Sequence, residues 1–305
     1  MIAARPPLQV PAARQGPGAL PKPMIDALDV VLTRHTARSL PGDRRAAGVG
    51  AGTELAQLRG YQIGDDVRHL DPAASARTGE PHVRLHVPER VQTTWVLLDV
   101  SASMAFGTTR RLKSDVAEGV TQVMGQLALR RAGALGMIRF GAPGPPRISP
   151  LRAGRPAFGA LSHVLAEGVA PDGHEDASAL GDACAALSRL AQQAALVVVI
   201  SDFRGAVDPA ASLGLLRARH TVLCVEVHDP RELLVPDVGI LSVVDPETGI
   251  AARVNTGSRR VRERFIALEA ERRAHLHDEL RRLRIGHVAL GTDEDWLLAL
   301  GRSLR

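Results

Sequence analysis

Residues 96–107 read VLLDVSASMAFG, an apolar run that closes on Asp99 and is followed at alternate positions by Ser101 and Ser103. A charge at the edge of a core is costly unless something pairs with it. Two readings are open. Either a serine begins a turn or helix while Asp99 pairs with an arginine, or the carboxylate and the two hydroxyls together hold a cation.

The surroundings decide the fold. From Trp95 onward, short β-rich runs alternate with helical segments, with strands predicted at 95–100, 134–140, 195–201, 221–227 and 287–291. Between the first two, Val116, Val120, Met124 and Leu127 recur at three- and four-residue steps, the signature of an amphipathic helix. Helices also fit 155–167, 177–193, 209–219, 258–283 and 294–304. Such alternation predicts an α/β fold, a mostly parallel sheet with helices on both faces. Function in these sheets collects where the carboxyl ends of strands open onto loops. Asp99 closes one strand, and Asp202 in VVVISDFRG closes another that is expected beside it.

Three segments stand outside the alternation. Residues 1–23, rich in Pro, Gly and Arg, are expected to be a disordered leader that orders only against something else. Residues 24–92 carry one helix within MIDALDVVLTRHTARSL and then a charged, turn-rich segment. Residues 238–256, inside the main domain at 93–305, are expected to form a hairpin turning at Asp245 to Gly249. The last two are expected to build a smaller β-rich layer flanking the sheet.

Composition narrows the function classes. In 305 residues the hydrophobic fraction is 45% and aromatics are 3%, so Ala, Val and Leu must pack the core. The longest strongly apolar run, 196–200, is too short to cross a bilayer, and the N-terminus has no secretory apolar stretch. Cys184 and Cys224 read as buried reduced thiols, which fits a cytoplasmic location. The net charge is +5, yet Lys22 and Lys113 are the only lysines, and acids interrupt the basic residues of 258–283 at helical spacing. With stacking aromatics scarce, no nucleic-acid partner is expected.

Hard cations such as Mg2+, Mn2+ or Ca2+ take oxygen ligands, and Mg2+ retains several waters. Asp99, Ser101 and Ser103 supply three oxygens from one tight loop, with Asp202 binding directly or through water. These residues resemble the metal-ion-dependent adhesion site of von Willebrand factor A domains. That family adds a threonine from an intervening loop; here the loop reads DGHEDASALGDA and the position falls at about Glu175, which with Asp176 or Ser178 could serve as ligand. A glutamate there could also plug the position left open for a partner's carboxylate.

The segment TELAQLRGYQIGDDVRHLDPAASARTGEPHVRLHVPER, residues 53–90, carries a second resemblance, together with ISDF and HDPRELLVPDVGILSVVDPETG downstream. It resembles the bacterial family called domain of unknown function 58, whose members carry an A-type domain. Pro72 departs from it, since a tryptophan commonly follows the aspartate there. Arg59, Tyr61, Asp65, Asp66, Arg68, Asp71 and Arg77 read as a structural clasp of arginine–carboxylate pairs, with an interface as the alternative. The resemblance implies a MoxR-type AAA+ ATPase as partner and an unknown client protein, the chain acting as a non-catalytic adaptor in protein remodelling or maturation. A metal-dependent hydrolase or phosphotransferase is the alternative. Against it, Ser101 stands where a second acid would be needed, and no G-x-S-x-G, H-E-x-x-H or G-x-x-x-x-G-K-[ST] motif occurs.

Overall fold

The structure is a computed structural model that describes residues 15–39, 54–62, 65–87, 93–130, 133–173, 178–205 and 207–304. Two compact units result, Leu40–Val91 on one side and Met1–Ser39 with Gln92–Arg305 on the other. Helix α1 (Lys22–Ser39) comes first. The small unit holds β1 (Glu54–Gly60), α2 (Pro72–Thr78) and β2 (His82–Val87). The large unit resumes with β3 (Thr93–Asp99), α3 (Lys113–Arg130), β4 (Ala134–Phe140), β5 (Arg147–Ala153), α4 (Arg155–Ala166) and α5 (Ala179–Leu190). Then follow β6 (Leu196–Ser201), α6 (Ala210–Arg217), β7 (Thr221–His228), α7 (Pro230–Leu233), β8 (Ile240–Val244) and β9 (Ala251–Asn255). The chain closes with α8 (Arg259–Arg282), β10 (Gly286–Gly291) and α9 (Trp296–Ser303).

Six strands form the main sheet in the order β10-β7-β6-β3-β4-β5, all parallel except β5. Counted along the chain within this sheet, that is the doubly wound order reversing between its first strand, β3, and its fourth, β6. Crossovers leave these two strands toward opposite edges, which opens a crevice at their carboxyl ends. This is an open, doubly wound α/β sheet with helices on both faces.

Alternation along β3 builds both faces of the core. Val96 and Leu98 join Val116, Val120, Met124, Leu161 and Leu300 on one face, beneath α3, α4, α9 and α1. Trp95 and Leu97 join Cys184, Leu187, Leu213, Leu216 and Leu280 on the other, beneath α5, α6 and α8. Successive side chains of a strand point to opposite faces, so both must be apolar when both are covered. Cys184 and Cys224 are buried free thiols, as read from the sequence.

Three expectations are corrected. The sequence reading missed β5, an exposed antiparallel edge strand, because Pro150 and Arg147, Arg152 break the apolar pattern; proline is tolerated where a strand has a free edge. Helix α1 belongs with the large unit, where Ile25, Leu28 and Leu32 enter the core, and not with the 24–92 segment. The described part of the leader is ordered: Gln15 N and Gly16 N donate to the Asp115 carboxylate at 3.1 and 2.9 Å, and Trp296 Nε1 donates to Pro17 O at 3.0 Å. The strands β1–β2 and β8–β9 form two separate two-stranded sheets.

Among the described residues the small unit shows one arginine–carboxylate pair and several local hydrogen bonds. Arg59 grips Asp65 bidentately at 2.7 and 2.9 Å, and Asp65 also accepts from Gln62 N. Arg59 comes before other causes in holding the Asp65 carboxyl below its ordinary pKa. Asp66 instead accepts from Arg68 N, and Asp71 caps α2 by accepting from Ala73 N and Ala74 N. Pro72 is the first residue of that helix, a place that suits its fixed φ and missing N–H. Tyr61 is half-buried, and its N–H donates to Pro81 O. Arg68 and Arg77 are exposed and form no ion pair among the described residues. Glu175, Asp176 and Gly64 lie outside the described residues.

Candidate functional site

Asp99 and Asp202 meet at the crevice between β3 and β6. Asp99 is 7% exposed and Asp202 4%. Asp99 Oδ1 accepts from Ser101 N at 2.9 Å and Oδ2 from Ser201 Oγ at 2.6 Å. Ser101 Oγ and Ser103 Oγ lie 3.1 Å apart on the loop that follows. A carboxylate and two hydroxyls therefore converge as the sequence indicated. Gly141 walls the loop: its φ is +84°, and a β-carbon there would lie 2.9 Å from Asp99 Oδ1 and from Ser101.

Asp202, unlike Asp99, has a cationic partner. Lys113 Nζ lies 2.6 Å from Asp202 Oδ2 and 2.7 Å from Glu232 Oε1, with its side chain fully buried. Phe106 lies on another side, its ring centroid 5.9 Å from the ammonium. Burial works against the charge on Lys113, but the two carboxylates outweigh it and raise its pKa. For Asp202, burial is likewise the largest influence and would raise the pKa, yet Lys113 turns the net shift downward. Glu232 is fixed in turn by a capping box, with Asp229 N donating to its Oε2 at 2.9 Å. Asp229 ties in the loop after Ser103 by accepting from Thr108 N, Thr108 Oγ1 and Thr292 Oγ1 at 2.6–2.7 Å.

Asp99 is left without such a partner: no described basic side chain pairs with it. Burial and then the neighbouring Asp202 push its carboxyl up to about 6, against hydrogen bonds from Ser201 and Ser101. Next to Asp202, Phe203 has a positive φ of 50°, an unfavourable conformation for a bulky side chain that the surrounding packing must hold. A cavity of about 60 Å3 opens here, lined by Asp99, Ser101, Ser201, Asp202 and Glu247 among others. A single water needs about 10–15 Å3 of such space, so a few waters have room.

Among the described residues no three Asp, Glu, His or Cys side chains converge as a metal cluster, so a cation here would depend on the two hydroxyls. One carboxylate with two hydroxyls and retained water is a donor set suited to a small hard cation. Asp202, already neutralised by Lys113, is suited to an outer, water-bridged place. Sequence reasoning did not pair Lys113 with Asp202, and it missed Glu232, Gly141 and Glu247. Two signals were present: Lys113 is one of only two lysines in an arginine-rich chain, and Asp229-Pro-Arg-Glu232 has capping-box spacing.

A family model described as "Protein of unknown function DUF58" matches residues 57–275. The uncharacterized proteins Mb1516 of Mycobacterium bovis and Rv1480 of Mycobacterium tuberculosis are each 32% identical over 281 residues, covering 91% of this chain and 87% of theirs. Among solved structures, an aerotolerance-related membrane protein from Bacteroides fragilis aligns at 16% identity and a TM-score of 0.44, covering 70% of this chain and 98% of that one. The SpRpn10 VWA domain aligns at 12% identity and 0.39, covering 69% and 93%. Among the described residues no helix is long and apolar enough to cross a membrane.

Proposed function

The chain belongs to the family of proteins of unknown function DUF58, and from that premise we propose that it is a non-catalytic adaptor that binds an acidic side chain of a partner through a divalent cation. Asp99, Ser101 and Ser103 hold the cation, Mg2+ or another hard ion such as Mn2+ or Ca2+, with Asp202 reaching it through water. The observation that carries this reading is the buried Asp99 carboxylate, which no described basic side chain neutralises, beside two hydroxyls at the switch point of the sheet. A buried charge is retained where something compensates it, and a cation would do so.

The partner favoured by the family resemblance is a MoxR-type AAA+ ATPase, which would supply the ATP turnover for remodelling or maturing a client protein in the cytoplasm. Capture of the ATPase by immobilised chain tests the proposal. It is expected with Mg2+ and lost with EDTA or in Asp99→Ala; undiminished capture in both would place the contact elsewhere.

A further inference from the structure

The turn of the β8–β9 hairpin lies against this site. Asp245 clamps the turn, accepting from Glu247 N at 3.0 Å and Thr248 Oγ1 at 2.8 Å, while Gly249 N donates to Asp245 O at 2.8 Å. Gly173 N donates to Pro246 O at 2.8 Å and ties the turn down. Held in this way, the half-buried Glu247 lines the same cavity as Asp99, Ser101 and Asp202 and interacts with the Ser103 hydroxyl. No described basic side chain pairs with it. Two carboxylates without a cationic partner thus face one small cavity whose remaining polar groups include hydroxyls.

The base of the hairpin is tied down at the buried Thr256, but its strands are not: among the described residues β8 and β9 pair only with each other, and Ile240, Val244 and Ile250 are exposed. A short self-paired ribbon with few buried apolar contacts opens more easily than the core beneath it.

We propose that Glu247 is an internal occupant of the cation site, its carboxylate taking the position that an acidic side chain of a partner would take, so that partner capture requires the hairpin tip to withdraw. The inference rests on the reading that Asp99, Ser101 and Ser103 hold a divalent cation. It gives Glu247 the plugging role that the sequence suggested for Glu175.

The test uses Mn2+ with the full chain, reading free Mn2+ by electron spin resonance and bound-ion hydration by water-proton relaxation. In wild type, Asp99-dependent binding is expected with low relaxivity that millimolar acetate, a free carboxylate, leaves unchanged. Glu247→Gln and Glu247→Ala should weaken Mn2+ binding by about tenfold, a loss typical of removing a group that supports a metal site. In Glu247→Ala, relaxivity per bound ion should rise as water enters and fall again with acetate. Asp99-dependent binding with the same affinity and relaxivity in all three proteins would overturn the role of Glu247 and leave the cation site standing. Mn2+ binding that appears only in the Glu247 variants would also overturn it, since the hairpin would then exclude the ion. Binding absent from all three, or unaffected by Asp99→Ala, would remove the cation site itself and this inference with it.

Discussion

Replacing Lys113 by methionine removes the ammonium that lies 2.6 Å from Asp202 and 2.7 Å from Glu232 while keeping most of its apolar stem. Asp202 is 4% exposed and Glu232 13%, so neither carboxylate can recover full hydration. Breaking a buried pair by removing one partner costs about 3–5 kcal/mol, because the other charge is stranded. At roughly 2–4 °C per kcal/mol for a domain of this size, the melting temperature should fall by roughly 6–20 °C. Thermal melts followed by circular dichroism, with urea titrations to confirm an unchanged slope, measure the loss. The double variant Lys113→Met with Asp202→Asn removes one stranded charge together with the ammonium, so it should lose less than the single variant. A single variant within about 1 kcal/mol of wild type would mean that Lys113 does not neutralise the site, and the contrast between Asp202 and Asp99 would collapse.

Three further outcomes are expected. Gly141→Ala places a methyl 2.9 Å from Asp99 Oδ1 at a φ of +84°, so it should destabilise the fold by about 1–2 kcal/mol from backbone strain alone and weaken divalent-cation binding, as melts and Mn2+ titration would show. Asp66→Ala removes an exposed acceptor from Arg68 N and not a buried ion pair, so its cost should be about 1 kcal/mol, the typical cost of losing a cap; a loss of 3 kcal/mol or more would restore the clasp. Burial alone would push the Glu226 carboxyl up, but His287, Arg273 and Arg272 hold it at about 2, against 4.5 for a free glutamate. Its contribution, about 3 kcal/mol, is therefore complete above pH 4.5 and is lost as pH falls toward 2, so acid titration of Glu226→Gln should show a shallower loss of stability in that window.

The legible part of the molecule was the part written in local pattern. β6 reads LVVVIS with every residue buried, and α3 carries its apolar residues at helical spacing, so the sheet and its covering helices follow from periodicity. Asp99 directly follows an apolar run and Asp202 follows one after a single serine, which marks them as strand ends. The site's electrostatics were not legible, because they join residues far apart in sequence: Lys113 meets Asp202 across 89 residues and Glu232 across 119. Glu247 was visible only as part of a hairpin turn, and nothing in the turn's own sequence says what it lies against. In the small unit, the alternation of arginine and aspartate suggested ion pairs, whereas Asp66 and Asp71 serve backbone N–H groups. Short acidic side chains next to a helix start compete well for that role.

A divalent cation on Asp99, Ser101 and Ser103 is the proposal on which the others depend. A crystal of the full chain soaked in Mn2+ and measured for anomalous scattering tests it most directly. A strong peak is expected, bounded by the Asp99 carboxylate and the Ser101 and Ser103 hydroxyls, with Asp202 still bound to Lys113 and one water away. A peak bound directly by Asp202 with Lys113 displaced, or no peak beside Asp99 at saturating Mn2+, would contradict it.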